Sequence, residues 1–227
     1  MNLFKIKKGK YIIPIHLIIF LYFFYKSSKN KLINNNNKLK FFIGGLGGLV
    51  FSNFMEYFVH NTLFHKIPKK ISNNFYYIVH GHHHRKPSDI PFIPLAQTLF
   101  IYLITYFSWS NIFKYIKKIR NKKPELKDNN NNNLTNFMVG GSSGFLIFEL
   151  VHWLIHKPKI INKIKIFKPM LDFHWSHHDI SNCAYTFTSP FWDWLFNTLP
   201  EKSKYYKWKN IPIPLPIIPF IISYLIT

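Results

Sequence analysis

Residues 41–65 read FFIGGLGGLVFSNFMEYFVHNTLFH, and this stretch holds the features that decide the fold. It begins with an apolar run, Phe41–Val59, which is long enough to cross a bilayer because a spanning helix needs about 17–25 residues. Four glycines give the run a small-residue face for close helix packing. His60 and His65 follow at its end, and imidazole is the commonest metal ligand in proteins. The stretch therefore predicts a membrane helix that ends in metal-binding side chains.

Three further segments, Tyr11–Tyr25, Phe92–Trp109 and Phe137–Ile155, are also apolar. Lysines precede the first segment as in a signal peptide, but no small-residue cleavage site follows it, so we interpret it as an uncleaved span. The pattern predicts an all-α integral membrane protein with four transmembrane helices in two hairpins. The tail, 211–227, carries four prolines, which prevent a regular helix, so a peripheral or re-entrant segment is expected there.

Eleven of the twelve histidines fall into four clusters, each at or just past the end of an apolar segment. Counting spans places all four clusters on one side of the membrane. An excess of Lys and Arg on that side favours the cytosol. The sequence thus predicts one membrane domain over residues 1–227, with a histidine-rich helical cap (60–91 and 156–210) that faces the cytosol.

Spacing decides which histidines act together, because helical positions three and four apart share a face. Two clusters repeat the pattern H-x-x-H-H, and a third is the pair H-x3-H. His82 would face away from its neighbours, about 200° round a helix. His60 and His65 are five apart, so we expect His60 to cap the second span and His65 to lie on the turn beyond. Ten candidate ligands remain, enough for two ions with about five nitrogens each: His60, His65, His80, His83, His84, His152, His156, His174, His177 and His178.

The composition of the chain limits which classes of partner and which metal ligands are expected. The chain has 30 Lys and Arg against 9 Asp and Glu, for a formal charge of +21. No nucleic-acid motif accompanies this charge, and the apolar spans favour lipid as the partner. Much of the positive charge is accounted for by the Asn- and Lys-rich composition that is typical of an A/T-rich genome. Cys183 is the only cysteine, so a metal must be held by nitrogen and oxygen ligands.

Four carboxylates flank the clusters: Glu56, Glu149, Asp172 and Asp179. Metal-bound histidines commonly donate their second N–H to a carboxylate, which fixes the tautomer. We therefore expect these four to orient the ligating imidazoles. For Glu56 and Glu149 the expectation is stronger, because a carboxylate in a membrane helix is costly without a functional partner.

The order H-x4-H, H-x-x-H-H, H-x3-H, H-x-x-H-H resembles the fatty acid hydroxylase branch of the membrane fatty acid hydroxylase/sterol desaturase superfamily, and the closing segment, Ala184–Thr198, resembles that of fatty acid 2-hydroxylases within it. Pro87 and Asp89, and the segment Ala184–Thr198, are similar to the same family, so the resemblance covers about residues 40–200. It implies the same ten histidines as metal ligands. This chain departs from the pattern at Lys157, where relatives often have another histidine, and at Asn197, where a glycine is typical. No cytochrome b5 domain with its His-Pro-Gly-Gly motif precedes the spans.

The resemblance implies hydroxylation at carbon 2 of a fatty acyl chain, with the N-acyl chain of a sphingolipid or ceramide as the expected substrate. The reaction needs dioxygen and two electrons, and zinc has no redox chemistry. We therefore expect a di-iron centre, even if zinc occupies a purified sample. Electrons are expected from a separate cytochrome b5 and its reductase, at the endoplasmic reticulum membrane. The alternatives are a sterol or sphingoid-base oxidase or desaturase of the same superfamily, and a catalytically silent metal-binding membrane protein.

Overall fold

The computed structural model describes residues 11–29, 35–87, 95–120, 131–157, 160, 168–186 and 188–204. Every regular element within these ranges is helical, in agreement with the predicted all-α class. The elements are α1 (Ile12–Ser28), α2 (Asn35–Phe58), π1 (Val59–Lys66), α3 (Ile67–Ile71), α4 (Asn73–Tyr76), π2 (Tyr77–Gly81), α5 (His82–Arg85), α6 (Leu95–Arg120), α7 (Asn131–Ile155), α8 (Lys168–Asp179) and α9 (Phe191–Leu195).

The four predicted spans coincide with α1, α2, α6 and α7, apart from residues 92–94, which lie outside the described ranges. Among the described residues, Lys38–Ile71 and Asn133–Ile155 are long and apolar enough to cross a membrane. Helix α1 is apolar but has only 17 residues. The structure therefore contains two candidate membrane helices.

The described residues belong to two compact units. The first contains α1, α2 as far as Val50, α6, and α7 as far as Leu146. Within it, α2 and α7 approach so closely that a Cβ at Gly140 would overlap the carbonyl oxygen of Gly45. A Cβ at Gly48 would similarly overlap the backbone of Phe137. The predicted small-residue face of α2 is thus confirmed as the place where two helix backbones meet.

Buried polar contacts join the other helices of this unit. His16, the one histidine outside the four clusters, lies 2.8 Å through Nδ1 from the hydroxyl of Tyr102. The hydroxyl of Ser27 donates to the side-chain oxygen of Asn136 at 2.6 Å. Both contacts satisfy polar groups among apolar side chains, where an unmade hydrogen bond is costly.

The second unit contains the C-terminal parts of α2 and α7 and all the shorter helices, and it carries every clustered histidine. Phe173, Cys183 and Ala184 form a buried core in it, against which Ile180 and Leu199 pack. The predicted tail 211–227, and the cap residues 88–91, 158–159, 161–167, 187 and 205–210, lie outside the described residues.

The path of the chain after α2 differs from the prediction. His60 was expected as a helix cap and His65 on a turn, but both lie in the continuous helical turn π1. The amide of Ile67 donates to the carbonyl of Thr62, five residues earlier, which is the hydrogen bond of a π-helix. This wider turn places residues five apart on the same side of the helix. The spacing that is awkward on an α-helix is therefore the natural one here.

Candidate metal centre

The first two histidines of the site come from π1. His60 and His65 are both buried, and their ring centroids are 5.1 Å apart. The helix continues unbroken from α2 through π1 into α3, so the backbone that fixes one ring also fixes the other.

A second π-helical turn and the short helix α5 supply the next set. His80 lies in π2, and His83 and His84 lie in α5. The rings of His80 and His84 are 4.8 Å apart between centroids. His82 instead stacks on the ring of Tyr77, 5.5 Å away and nearly parallel. The prediction that His82 faces away from the other histidines is confirmed.

The C-terminal end of α7 positions the third pair. The amide of His156 donates to the carbonyl of His152 at 3.3 Å, so α-helical geometry extends to the residue after the helix end. The two rings, four residues apart, are separated by 5.0 Å. Helix α8 carries His174, His177 and His178, the last set.

These side chains converge into two groups. The five-histidine group consists of His60, His65, His80, His84 and His177; the four-histidine group consists of His83, His152, His156 and His174. Within each group, one ring nitrogen from every residue lies within 4.8 Å of the others. Both H-x-x-H-H sets are divided between the groups. His83 is separated from His80 and His84, and His174 is separated from His177, so positions three apart on a helix do not share a group here.

His178 lies beside both groups. Its Nε2 is 3.0 Å from Nε2 of His174, and its ring centroid is 4.8 Å from that of His84. The ten predicted residues are thus brought together as nine in two groups and one next to both.

The Nε2 atoms face one another at short range. The Nε2 of His60 is 3.0 Å from that of His80, and the Nε2 of His177 is 3.0 Å from that of His84. In the other group, the Nε2 atoms of His174 and His156 are 2.8 Å apart. Two nitrogens bound to one ion at about 2.1 Å, at right angles, lie about 3 Å apart. The spacing therefore suits adjacent ligands of a shared ion.

Two backbone carbonyls fix the protonation of two rings in the five-histidine group. Nδ1 of His60 donates to the carbonyl of Tyr185 at 2.6 Å, and Nδ1 of His177 donates to that of Cys183 at 2.7 Å. A carbonyl only accepts, so the proton of each neutral ring is on Nδ1, and the lone pair is on Nε2. Both lone pairs consequently point into the group.

A buried carboxylate holds the segment that provides these carbonyls. Asp193 accepts hydrogen bonds from the amides of Tyr185 and Thr186, both at 2.8 Å, and from the hydroxyl of Thr198 at 2.7 Å. Its side chain is fully buried, and this burial raises its pKa to about 6 although the hydrogen bonds act in the opposite direction. The two carbonyls had no signal in the sequence. Only the resemblance over Ala184–Thr198 pointed to this segment.

The four flanking carboxylates were expected beside the imidazoles. Glu56 accepts from the side-chain amide of Asn53 at 3.1 Å and from the backbone amide of Thr188 at 3.2 Å. Asp179 accepts from Ser203 at 3.1 Å and lies 3.7 Å from the ammonium of Lys204. For Asp179 the expectation of a histidine partner is replaced by this surface pair, because the carboxylate is turned toward the chain after α9.

Glu149 and Asp172 occupy different surroundings. Glu149 is buried in α7, three residues before His152. Asp172 is half-buried in α8, and its backbone carbonyl accepts from the hydroxyl of Ser176 at 2.8 Å. The orienting role of these two carboxylates stays a prediction.

Burial keeps the imidazoles neutral. It lowers the pKa of His80, His83, His174 and His177 well below the usual value, and neighbouring imidazoles lower it further. The same causes lower the pKa of His84 to about 3 and that of His178 to about 2. For His156, burial and the charge of Lys157 lower the pKa to about 4. At neutral pH these rings therefore present lone pairs, as metal ligands must.

The donor set fits a pair of metal ions. In each group one histidine, His65 or His83, has both ring nitrogens buried without a hydrogen-bond partner among the described residues. Leaving a buried polar atom unsatisfied costs about 1–3 kcal/mol, and a bound ion would remove that cost for one nitrogen of each ring. Neutral nitrogen ligands suit iron, zinc, copper or nickel.

Comparison with known proteins gives consistent matches. A family model described as fatty acid hydroxylase matches residues 45–198. The chain is 28% identical over 158 residues to dihydroceramide fatty acyl 2-hydroxylase FAH1 of Arabidopsis thaliana, covering 67% of this chain and 59% of the relative. It is 26% identical over 166 residues to fatty acid 2-hydroxylase of Mus musculus, covering 69% of this chain and 39% of the relative. The chain thus spans less than two thirds of either relative.

A solved structure, described as full-length scs7p with only its hydroxylase domain visible, has a similar fold. The two superpose with a TM-score of 0.56 at 21% identity, covering 90% of this chain and 69% of that one. This likeness supports the helical fold described above.

Proposed function

Because this chain belongs to the fatty acid hydroxylase family, whose model matches residues 45–198, we propose that it hydroxylates carbon 2 of a fatty acyl chain. The observation that carries the proposal is the convergence of ten imidazoles into two adjacent nitrogen groups. Such a set is far more than one ion needs, and it supports a centre of two metals.

The residues that would hold the ions follow from the groups. One ion would be bound by the five-histidine group, and the other by the four-histidine group together with His178. When bound, iron supplies the activation of dioxygen that hydroxylation requires. The imidazoles hold the ions in place, and the two carbonyl-bound rings, His60 and His177, keep their Nε2 lone pairs directed inward.

The overall reaction requires a redox-active metal. One C–H bond, dioxygen, two electrons and two protons become one C–OH bond and water. Zinc cannot take part in this electron transfer. The active form is therefore a di-iron centre in this proposal, and zinc-loaded protein is inactive.

The membrane arrangement extends the two candidate membrane helices to four spans in two hairpins, formed by α1, α2, α6 and α7. The histidines lie on the cytosolic side of the endoplasmic reticulum membrane. Two features support a membrane-associated site: π1 lies toward the C-terminal end of the candidate membrane helix Lys38–Ile71, and α9 with the residue after it exposes Trp194, Leu195 and Phe196. Exposed aromatic side chains are typical of a protein at the lipid–water interface.

The substrate in this proposal is a sphingolipid or ceramide N-acyl chain, because the plant relative is named a dihydroceramide fatty acyl 2-hydroxylase. Such a lipid brings its polar end to the interface. Carbon 2 lies next to the carbonyl at that end, so a centre at the membrane surface can meet it.

Electrons are supplied by a separate cytochrome b5 and its reductase in this proposal. Five exposed cations lie on, or directly after, the helices that carry the first two histidine clusters: Lys66, Lys69, Lys70, Arg85 and Lys86. A cluster of one charge sign steers an oppositely charged protein to its surface. This cluster supports docking of an acidic electron carrier.

Expression in a host that lacks its own 2-hydroxylase tests the proposal. We expect 2-hydroxylated ceramides with the wild-type chain and with His82→Ala, which lies outside both groups. His84→Ala should give none. Desaturated or hydroxylated sterols in place of 2-hydroxy acyl chains would assign a different reaction, and bound metal without any new lipid would contradict an enzymatic role.

A further inference from the structure

The five-histidine group depends on one short segment, Cys183–Thr186. Its carbonyls at positions 183 and 185 accept the Nδ1 protons of His177 and His60. Between them, Ala184 has φ 52°, a left-handed conformation that a non-glycine residue rarely adopts. Strained backbone persists only where surrounding contacts fix it. The segment therefore needs strong anchors to keep both carbonyls directed at the rings.

Asp193 supplies those anchors. Its two oxygens accept from the amide of Tyr185, and from the amide and hydroxyl of Thr186, at 2.8, 2.8 and 2.5 Å respectively. The hydroxyl of Thr198 donates to it as well, and the carbonyl of Thr198 accepts from the amide of Ala184 at 2.8 Å. Asp193 is fully buried, and a buried carboxylate is tolerated only when it is hydrogen-bonded in this way.

On these contacts, we infer that Asp193 is a positioning residue for the metal of the five-histidine group. It touches neither a histidine nor an ion; it acts by fixing the peptide units whose carbonyls orient His60 and His177. The inference rests on the proposed function only in that it requires two bound ions. Changes to groups that orient metal ligands typically weaken metal affinity roughly 10–100-fold.

The chemistry requires a carboxylate at this position. All the groups that face Asp193 are donors, two amides and two hydroxyls. An asparagine would present one acceptor oxygen and one NH2 group, and the NH2 group would meet an N–H donor. One amide of the segment would then lose its partner, and the adjacent carbonyl would be free to turn from its histidine.

The test measures metal release from purified, zinc-loaded protein, titrated with a chromophoric chelator. We expect Asp193→Asn to release one of two zinc equivalents at roughly 10–100-fold lower chelator concentration, with the second equivalent unchanged. Reference profiles come from His65→Ala, which removes a ligand of the five-histidine group, and His156→Ala, which removes one from the other. The sensitive equivalent should be the one that His65→Ala abolishes.

Thr198→Val is the matched control. It removes one buried hydrogen bond to the same carboxylate but leaves both amide contacts intact, so both zinc equivalents should be released as in the wild type. Equal weakening of both equivalents in Asp193→Asn, or a profile for Thr198→Val that matches it, would overturn the inference and assign Asp193 a structural role alone.

A second measurement uses the wild-type chain and does not depend on the variant's folding. If the segment stabilises zinc in the five-histidine group, zinc must stabilise the segment in return. We expect hydrogen exchange of the peptide covering 183–186 to slow by about 10-fold or more when zinc is bound. Unchanged exchange contradicts the inference. If the wild type bound no metal, the proposed function would fail as well. Unchanged exchange in a wild type that does bind zinc would contradict the inference on Asp193 alone.

Discussion

The five-histidine group and the four-histidine group reach the same ring separation by different backbone geometry. In the first, His60 and His65 are five residues apart on a π-helical turn, and their rings are 5.1 Å apart. In the second, His152 and His156 are four apart in α-helical geometry, at 5.0 Å. Residue spacing is therefore a guide to a shared site only together with the helix type that carries it.

The largest effect should come from removing one ligand. His65→Ala and His156→Ala should each lower product formation by at least about 100-fold, above the range seen when only an orienting group is changed. Each should also remove one of two bound metals, as measured by elemental analysis of purified protein. His82→Ala is the control for loss of an imidazole in the same region. If the His65→Ala protein retained both metals, His65 would not be a metal ligand of the five-histidine group.

The dependence on helix type can be tested by changing the spacing. Insertion of one alanine between Leu154 and Ile155 makes the second pair five residues apart on an α-helix, which rotates His156 by about 100°. We expect loss of the metal in the four-histidine group while the metal of the five-histidine group stays. Circular dichroism should show unchanged helix content. Two metals bound at the wild-type affinity would mean that the backbone adopts a π turn there too.

Acid should destabilise the metal-free protein. The pKa of His84, in the five-histidine group, is lowered to about 3, and the pKa of His156, in the four-histidine group, is lowered to about 4. Below pH 6.5 the unfolded chain binds protons that these folded rings do not, so the free energy of unfolding falls by about 1.4 kcal/mol per pH unit for each ring. This loss continues until the pH reaches the folded value.

Asp193 opposes the trend, since its raised pKa of about 6 lets the folded state bind a proton between about pH 4 and 6. Because the imidazoles outnumber this one carboxyl, the free energy of unfolding falls overall as the pH is lowered. Thermal melts of chelator-treated protein between pH 7 and pH 5 measure it, and a midpoint that is constant over this range would contradict the assigned neutrality of the rings.

The smallest effect concerns Asn197, beside the segment that supports the five-histidine group. Its φ is 54°, where asparagine and glycine are tolerated best. Asn197→Gly should therefore leave stability nearly unchanged, whereas Asn197→Ala should lower the free energy of unfolding by about 1 kcal/mol. Thermal unfolding in detergent measures both. Neither variant should change the amount of bound metal, because Asn197 makes no contact with either group.

The backbone conformation of Asn197 also accounts for one departure from the pattern of the resembling family. The resemblance leads to the expectation of glycine there, and asparagine and glycine both tolerate the left-handed conformation that the turn after α9 requires. The helices that carry the histidines, the exclusion of His82 and the small-residue face of α2 could likewise be predicted, because each follows from local composition and spacing. The π-helical turn at His60 and His65 could not, since only α-helical geometry was considered and the five-residue spacing therefore predicts a helix end at His60.

The sequence by itself determined the helical class and the set of histidines that come together, because apolar length and short-range spacing are properties of neighbouring residues. Only the tertiary structure decided how the set divides. It assigned His83 and His84, adjacent in the chain, to different groups, because the partners of each ring come from helices far away in sequence. It also placed the carbonyls of Cys183 and Tyr185 behind His177 and His60. Every residue has a carbonyl, so which one accepts a proton depends on how the chain folds back, as it does here around Asp193.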